Sequence, residues 1–327
     1  MTYERALVTG GAGFIGSHLC DELLDRGKQV TVVDNLSTGR RKNIAHLEGH
    51  PNFRFVQANV LDKEQIRPDL EKADVIYHLA AAVGVGYIHE HQVGSLETNV
   101  LGTSNLLELA SHMGNKVVLA SSSEVYGKST AVPFYESSDA LLGPTSIPRW
   151  SYACAKALDE FLALGYHKER GLPVVILRLF NTVGPRQSGR YGMVLPRFVR
   201  QAVTGEPITV YGDGLQKRSF TYVTDVVEAM AAIAEVPSAN GEVFNVGSDS
   251  ETSILELADL VRRVTCSGSE LVHVPFAQVY GGEFEEPARR FPAIGKIQEY
   301  IDYHPTTPLA SMVEMVAESI RMEEGRE

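Results

Sequence analysis

Two residues four positions apart are the first in this sequence that could take part in chemistry. Tyr152 and Lys156 stand in 151-SYACAK-156, and in a helix this spacing puts both side chains on one face. An ammonium beside a phenol favours the phenolate, and so lowers the tyrosine pKa from about 10 toward neutral pH. We therefore predict that Tyr152 accepts a proton from a substrate hydroxyl while a hydride passes to an oxidised nicotinamide.

A glycine-rich turn near the start of the chain could hold such a cofactor. The segment 9-TGGAGFIG-16 follows an apolar strand and opens a helix, with Gly10, Gly13 and Gly16 at intervals of three. This pattern lets the backbone approach a pyrophosphate, and the helix N-terminus supplies amide donors. Asp34 ends the next strand, where a carboxylate can accept the ribose hydroxyls. A carboxylate would repel a 2′-phosphate, so the sequence favours NAD over NADP.

The elements that must position these residues alternate along the first half of the chain. Apolar runs predict strands, and apolar residues at helical spacing predict helices between them. The alternation indicates an α/β fold of the Rossmann type, a doubly wound parallel sheet. The predicted strands are 5–9, 29–33, 53–57, 75–79, 116–120 and 173–178, and the predicted helices are 14–26, 97–113 and 151–168. The ends of the third and fourth strands place Asn59, Val60, Leu79, Ala80 and Ala81 at the cofactor.

The pattern weakens after about residue 181, where segments are shorter and richer in Gly, Pro and Arg. We interpret this part as a smaller, loop-rich substrate domain. Segments 222–236 and 243–248 again have the pattern of sheet-domain elements. The predicted division is therefore interleaved: a cofactor domain of 1–181 plus about 221–249, and a C-terminal domain of 182–220 plus 250–327.

Composition restricts the class of protein. The chain has 327 residues and a net charge of −11, which does not favour binding to nucleic acid or to an anionic membrane. No apolar run approaches the length of a membrane span, and the N-terminus lacks the pattern of a signal peptide. Cys20, Cys154 and Cys266 are far apart and lack metal-ligand spacing. We expect reduced thiols, no metal site and a cytoplasmic location.

Taken together, the motifs resemble those of the extended short-chain dehydrogenase/reductases, in the branch of nucleotide-sugar epimerases, dehydratases and decarboxylases. The resemblance rests on TGGAGFIG, DNLSTG, HLAA, 99-NVLGT-103, SSSEVYG, YACAK, 178-RLFNTVGPR-186, 211-YGDGLQKRSFTYVTD-225 and FNVGS. It implies that Ser122 is the hydroxyl partner of Tyr152 and Lys156. It also adds Phe14, Ile15, Asn35 and Asn99 to the residues that contact NAD.

The same resemblance implies a UDP-sugar as the substrate and a smaller C-terminal domain that binds it. Family-like positions for the sugar, phosphates and base are Tyr87, Asn181, Val194, Leu195, Tyr211, Gln216, Arg218 and Arg290. It further implies a homodimer, in which the helices at 97–113 and 151–168 of two copies form a four-helix bundle.

Glu124 and its neighbour help to distinguish between the possible reactions. All members of this branch first oxidise the sugar C4 hydroxyl; dehydratases then use an adjacent Asp–Glu pair, and here Ser123 replaces that Asp. The Ser123–Glu124 pair and Arg290 resemble the UDP-glucuronate decarboxylases, as does 143-GPTSIPRWSYACAK-156. We therefore expect loss of CO₂ from a 4-keto uronic acid, with Arg290 near the carboxylate and Glu124 with Ser123 handling the proton at C5. The product would be UDP-4-keto-pentose, UDP-xylose or both.

Three alternatives remain open at this point. A UDP-hexose or UDP-glucuronate 4-epimerase agrees with segment 178–198, which is closer in sequence to epimerases. A 4,6-dehydratase is less favoured, because the Asp is missing. A nucleotide-binding regulator without activity is disfavoured, because Ser122, Tyr152 and Lys156 are all present.

Overall fold

A seven-stranded parallel sheet forms the centre of the computed structural model, which describes residues 2–189, 193–280 and 285–325. The strand order is β11-β6-β5-β4-β1-β2-β3, and every neighbouring pair runs parallel. These strands are β1 (Arg5–Thr9), β2 (Gln29–Asp34), β3 (Phe53–Gln57), β4 (Val75–His78), β5 (Lys116–Ser122), β6 (Val174–Leu179) and β11 (Glu242–Val246). The predicted doubly wound parallel sheet is therefore confirmed.

Helices cover both faces of this sheet, because its central strands are apolar on both sides. One core joins α1 to α8 across the face that carries Val8 and Val32, and the other packs α2, α5 and α6 against Leu7 and Ile76. The helices of the chain are α1 (Phe14–Asp25), α2 (Lys63–Leu70), α3 (Val85–Glu90), α4 (Gln92–Leu96), α5 (Gly102–Met113), α6 (Ser151–Arg170), α7 (Val194–Thr204), α8 (Val223–Ala234), α9 (Ile254–Val264), α10 (Phe276–Tyr280), α11 (Gly295–Gln298) and α12 (Leu309–Glu323).

The predicted helix at 97–113 has two parts. Its first turn, Glu97–Leu101, is a π-helix, and α5 follows without a break. Wide turns of this kind often occur at functional sites. Here the turn contains the buried Asn99, whose amide exchanges two hydrogen bonds with the backbone of Ala82, at 2.7 and 3.1 Å.

A third core lies under the later part of the chain and is built by α7, α9 and α12. Short strands accompany it: β7 (Thr182–Val183), β8 (Ile208–Tyr211), β9 (Lys217–Ser219), β10 (Thr221–Tyr222), β12 (Glu251–Ser253), β13 (Leu271–Val274) and β14 (Arg289–Arg290). Strand β9 lies between β12 and β14, which brings Arg218 beside Arg290 in register. Segments 222–236 and 243–248 return to the large sheet as α8 and β11, as expected; the exact domain boundaries stay a prediction.

The glycine turn after β1 has the geometry that its sequence predicts. Gly10 has a φ of +73°, and a Cβ there would lie 2.8 Å from the backbone nitrogen of Ala80. At Gly16 a Cβ would overlap the carbonyl oxygen of Gly10. Side chains are thus excluded both by backbone conformation and by the close approach of β1, α1 and the end of β4.

Gly10→Ala and Gly27→Ala separate these two constraints. Gly27 has a similar φ of +75°, but nothing lies within 4 Å of its Cβ position. We expect Gly27→Ala to lower the free energy of unfolding by about 1 kcal/mol, the cost of left-handed backbone for alanine. Gly10→Ala should cost about 3 kcal/mol or more, since the added methyl must also displace backbone. Guanidinium denaturation measures both, and equal losses would contradict the packing argument.

Candidate active site

A long cleft runs along the carboxyl ends of the parallel strands, where ligands bind in sheets of this type. It contains nearly all the residues that the sequence predicts for the site. From the cofactor set it is lined by Gly10, Gly13, Phe14, Ile15, Gly16, Asp34, Asn35, Val60, Leu79, Ala80 and Ala81; from the catalytic set by Ser122, Ser123, Glu124, Tyr152, Lys156 and Arg290; and from the substrate set by Tyr87, Asn181, Val194, Leu195, Tyr211, Gln216 and Arg218.

Two predicted cofactor residues do not line this cleft. The side-chain oxygen of Asn59 instead accepts a hydrogen bond from the backbone of Leu61, at 3.1 Å, and so shapes the turn before α2. Asn99 lies behind the cleft and holds the Ala82 backbone in place. Ala58 and Val60, on either side of Asn59, line the cleft in its place.

The cofactor half of the cleft is built around Asp34, at the end of β2. Its carboxylate accepts hydrogen bonds from the backbone nitrogens of Ala12, at 3.0 Å, and Leu36, at 2.7 Å. Burial raises the pKa of Asp34, and these two bonds oppose that shift. Helix α1 begins at Phe14, and its N-cap residue Gly13 has no side chain to cap it, so the first amides remain available to an anion. The residues present fit a dinucleotide, with the carboxylate for a ribose and the amides for a pyrophosphate.

Tyr152 and Lys156 lie one turn apart on α6, as their spacing predicts. Tyr152 hydrogen-bonds to Ser122 at the end of β5, and this bond lowers the tyrosine pKa. Lys156 Nζ donates to the carbonyl oxygen of Ala120, at 3.1 Å, and to Asp159 Oδ2, at 3.2 Å. The structure therefore places Ser122, Tyr152 and Lys156 at one point of the cleft.

The expected lowering of the Tyr152 pKa by Lys156 is not seen in this structure. The pKa is raised, first by burial and then by the negative charge of Glu124, with a further contribution from Asp159. The spacing of Tyr152 and Lys156 indicates the lysine charge but does not reveal the nearby carboxylates of Glu124 and Asp159. A bound substrate and cofactor must change this balance before Tyr152 can lose its proton near neutral pH.

Glu124 lies between two arginines from distant parts of the chain. Arg149 donates from Nη1 to Oε2, at 2.6 Å, and from Nη2 to Oε1, at 3.0 Å, in a bidentate pair. Arg290 of β14 donates from Nη1 to Oε1, at 2.6 Å. Both arginines are buried, and the glutamate side chain keeps 14% of its surface exposed. This arrangement, which we call the Glu124 clamp, lines the cleft beside Tyr152.

The clamp makes Glu124 a permanent anion. Burial favours the neutral acid, but the charges of Arg149 and Arg290 outweigh it, and the pKa falls to about 2. A carboxylate held in this way is a poor proton donor near neutral pH. The prediction that Glu124 handles a proton at C5 therefore requires that the clamp open first, and Glu124 is better suited to orienting the arginines.

Arg149 is the main site residue that sequence reasoning missed. It lies in Pro148–Trp150, a 3₁₀ turn directly before α6. The signal was present in 148-PRWSYACAK-156, because an arginine three residues before Tyr152 is carried to the same cleft by the start of the helix. The pairing itself joins residues 25 positions apart and is visible only in the fold.

The substrate half of the cleft contains a further ion pair with a buried arginine. Arg218 of β9 forms an ion pair with Glu286, a short contact between Nη2 and Oε1. Gln216 donates to the backbone oxygen of Tyr211, at 3.2 Å, and Asn181 to that of Ser219, at 2.9 Å. The Tyr211 ring lies 3.6 Å from the Arg197 guanidinium. Arg197 and Glu286 are further cleft residues that the predicted set did not contain.

The described residues contain neither a candidate metal centre nor a candidate membrane span. They contain no group of three or more His, Cys, Asp or Glu side chains that could hold a metal ion. Among the helices of the same residues, none combines the length and the apolar character needed to cross a membrane.

Known proteins resemble this chain over nearly its full length. UDP-N-acetyl-alpha-D-glucosaminuronate decarboxylase of Bacillus cytotoxicus is 48% identical, over 92% of this chain and 93% of the relative. UDP-glucuronic acid decarboxylase 1 of Xenopus tropicalis is 38% identical, over 94% of this chain and 69% of the relative. Among solved structures, a UDP-glucuronic acid 4-epimerase of Bacillus cereus, in complex with UDP-glucuronic acid and NAD, is 30% identical, with a TM-score of 0.88 and coverage of 98% and 99%.

A family model agrees with these similarities. Residues 6–247 match the model of the NAD dependent epimerase/dehydratase family. This range contains the glycine turn, the Glu124 strand end and the Tyr152 helix. The chain belongs to the NAD dependent epimerase/dehydratase family.

Proposed function

We propose that this protein is an NAD-dependent decarboxylase of a UDP-linked uronic acid, with UDP-glucuronate as the first candidate substrate. The observation that carries the proposal is the Glu124 clamp beside Tyr152. Two buried guanidiniums and one carboxylate leave a net charge of +1 where the sugar would lie. A neutral hexose would leave that charge without a partner, whereas the carboxylate of a uronic acid would neutralise it.

The Glu124 clamp also contains hydrogen-bond donors that do not contact Glu124. Arg290 Nη2 and Arg149 Nε are buried and have no hydrogen-bond partner within the part of the chain that the structure describes. Buried donors of this kind are usually satisfied by a protein group, water or ligand. A carboxylate accepts such bonds in bidentate geometry, which supports the uronate as the ligand.

In the proposed reaction, Tyr152 is ionised once substrate and cofactor are bound; its phenolate accepts the proton of the sugar C4 hydroxyl, and Ser122 hydrogen-bonds the same oxygen. Bound NAD supplies the acceptor for the C4 hydride. The C5–C6 bond of the resulting 4-keto acid then breaks, CO₂ leaves, and the electron pair moves onto the C4 oxygen as an enolate. Ser122 and Tyr152 stabilise that oxygen, and C5 takes up a proton from water. Release of the ketone gives UDP-4-keto-pentose, and return of the hydride gives UDP-xylose.

Two other substrates or outcomes have support. The Bacillus cytotoxicus relative, at 48% identity, is named for a uronate with an N-acetyl group. UDP-N-acetylglucosaminuronate is therefore the second candidate, and the clamp suits it equally because both sugars carry the C6 carboxylate. A UDP-glucuronate 4-epimerase, as in the Bacillus cereus structure, would also need to bind that carboxylate.

Mass spectrometry of the products separates these possibilities. The protein is incubated with NAD and, in parallel, with UDP-glucuronate, UDP-N-acetylglucosaminuronate or UDP-glucose. We expect a product lighter by one CO₂ from one or both uronates, and no turnover of UDP-glucose. A product of unchanged mass but altered C4 configuration would indicate the epimerase instead. Turnover of UDP-glucose without turnover of either uronate would exclude the proposal.

Glu124→Gln tests the role of the clamp. The substitution keeps the shape and removes the charge, so two buried guanidiniums face each other without an anion until substrate binds. We expect kcat for CO₂ release to fall about 100-fold, in line with loss of a charged hydrogen-bond network. KM for the uronate should change little, because both arginines remain to bind it. Steady-state kinetics measures both, and undiminished kcat would show that Glu124 is dispensable.

Glu160→Gln is the matched control for that variant. Glu160 is also a buried carboxylate, paired with Arg178 at 2.7 Å, but neither residue lines the cleft. We expect this variant to lose stability in thermal denaturation and yet to keep kcat near that of the unchanged protein. A comparable loss of kcat in both variants would mean that the effect of Glu124→Gln is a general consequence of removing a buried charge.

We also propose a homodimer through the helices predicted for it. Segments α4 to α6 carry several large apolar side chains in contact with solvent, and such clusters often mark interfaces between proteins. They are Val93, Leu96, Leu101, Leu158 and Phe161. Pairing of this surface with a second copy would bring four helices together.

Phe161→Glu should convert the dimer to a monomer. Phe161 is 76% exposed, so a charge there should leave the folded chain intact but would be buried in the dimer. Met322→Glu, on α12, is the control, because Met322 is similarly exposed, at 72%. Light scattering after size-exclusion chromatography gives the mass of each. A dimer that survives Phe161→Glu contradicts this interface.

A further inference from the structure

A chain of buried polar groups connects the first strand of the sheet to Lys156. His78, the last residue of β4, has Nδ1 2.7 Å from Thr9 Oγ1 and Nε2 3.1 Å from Thr103 Oγ1. Thr103, on α5, also lies close enough to Asp159 to oppose the rise in the pKa of that carboxyl that burial causes. Asp159 in turn accepts from Lys156 Nζ, at 3.2 Å. The proposed reaction uses only the lysine at the end of this chain.

Asp159 has no access to solvent, and Lys156 is 3% exposed. A carboxylate and an ammonium in such a place are each costly alone, and they are tolerated because each neutralises the other. The second contact of the ammonium, with the Ala120 carbonyl at 3.1 Å, supplies a dipole but no counter-charge. Asp159 is therefore the only described carboxylate in an ion pair with Lys156.

The chain contains its own comparison for a lysine without such a partner. Lys116 lies at the other end of β5, and its ammonium donates to the carbonyl oxygen of Val236, at 3.1 Å. Burial alone lowers the pKa of Lys116 to about 8, although this side chain is less buried than Lys156. A backbone carbonyl is thus too weak to offset burial for a lysine in this sheet.

We propose that Asp159 is a positioning residue, which neutralises the charge of the buried Lys156 and holds this side chain against the end of β5, next to Tyr152. This inference rests on the proposed role of Tyr152 as the proton acceptor. Asp159 acts through the lysine and does not itself contact the reacting atoms. Thr103 lies near the same carboxylate, and His78 holds the Thr103 hydroxyl at 3.1 Å.

The other titratable groups around the pair cannot replace Asp159. Burial lowers the pKa of His78 to about 3, so this ring is neutral and adds no charge. Glu160, the next residue on α6, pairs with Arg178. Glu124 is held by its two arginines, and Tyr152 is neutral because its pKa is raised. Removal of the Asp159 charge would therefore leave the Lys156 ammonium buried without an anion.

The protonation of Lys156 can be followed directly by NMR of the lysine Cε and Nζ atoms as a function of pH, without substrate. The spectrum of Lys156→Met assigns the signal. We expect the Lys156 signal to titrate at a lower pH in Asp159→Asn than in the unchanged protein, because the buried ammonium then lacks its counter-charge. Asp159→Glu keeps the charge and should restore the original titration. If Asp159→Asn does not fold, Asp159→Ser replaces it, and we expect the same change in the Lys156 titration.

Asp259→Asn is the control. Asp259 forms an ion pair with Arg262 at the same i,i+3 spacing, at 2.9 Å, but on the exposed surface of α9. This variant should leave the Lys156 titration unchanged. An unchanged titration in Asp159→Asn, or an equal shift in Asp159→Glu, overturns the inference.

Kinetics then connects the titration to the reaction. In Asp159→Asn, kcat for the uronate should fall at the pH where Lys156 loses its proton, and KM should stay near its original value. A merely structural role would lower kcat equally at every pH. Because the NMR titration needs no substrate, failure of the Asp159 inference leaves the decarboxylase proposal intact. Equally, absence of uronate turnover in the unchanged protein would not alter the titration result.

Discussion

The arrangement of the site depends on the burial of one carboxylate, that of Glu124. An anion at this depth is stable only with cations in contact, and the two that the fold supplies come from the turn before α6 and from β14. The three segments are therefore held together at the sugar end of the cleft. Strand β14 pairs with β9, so the same constraint also fixes Arg218 relative to Tyr152.

The parallel sheet explains why these groups meet. The carboxyl ends of β1, β2, β4 and β5 lie along one edge, and they bring the glycine turn, Asp34, Ala80 and Ser122 to the same cleft. Helix α6 follows β5 and crosses to β6, which places Tyr152 over Ser122. The order of the strands thus converts residues far apart in the chain into one site.

Features encoded by neighbouring residues were predictable from the sequence, and features that need tertiary pairing were not. The strands, the glycine turn and the Tyr152–Lys156 spacing follow from local patterns, and the structure has them as expected. Arg149 was missed because its partner is 25 residues away. The side chain of Asn59 bonds within the turn before α2, and its contact with the cofactor stays a prediction. The raised pKa of Tyr152 depends on Glu124 and Asp159, whose distances no local pattern reveals.

The two ion-pair systems beside Tyr152 differ in net charge, so the two walls of the cleft around this tyrosine differ in their attraction for anions. Lys156 and Asp159 sum to zero, so the inner wall behind the tyrosine attracts neither a carboxylate nor a phosphate. The Glu124 clamp sums to +1 and has unpaired donors. For a sugar with a carboxylate at C6, as we propose, the clamp is the part of this cleft with the opposite charge, and Tyr152 and Ser122 line the same cleft. On this argument the clamp selects the substrate by charge, and it stabilises the carboxylate only until CO₂, which is neutral, has left.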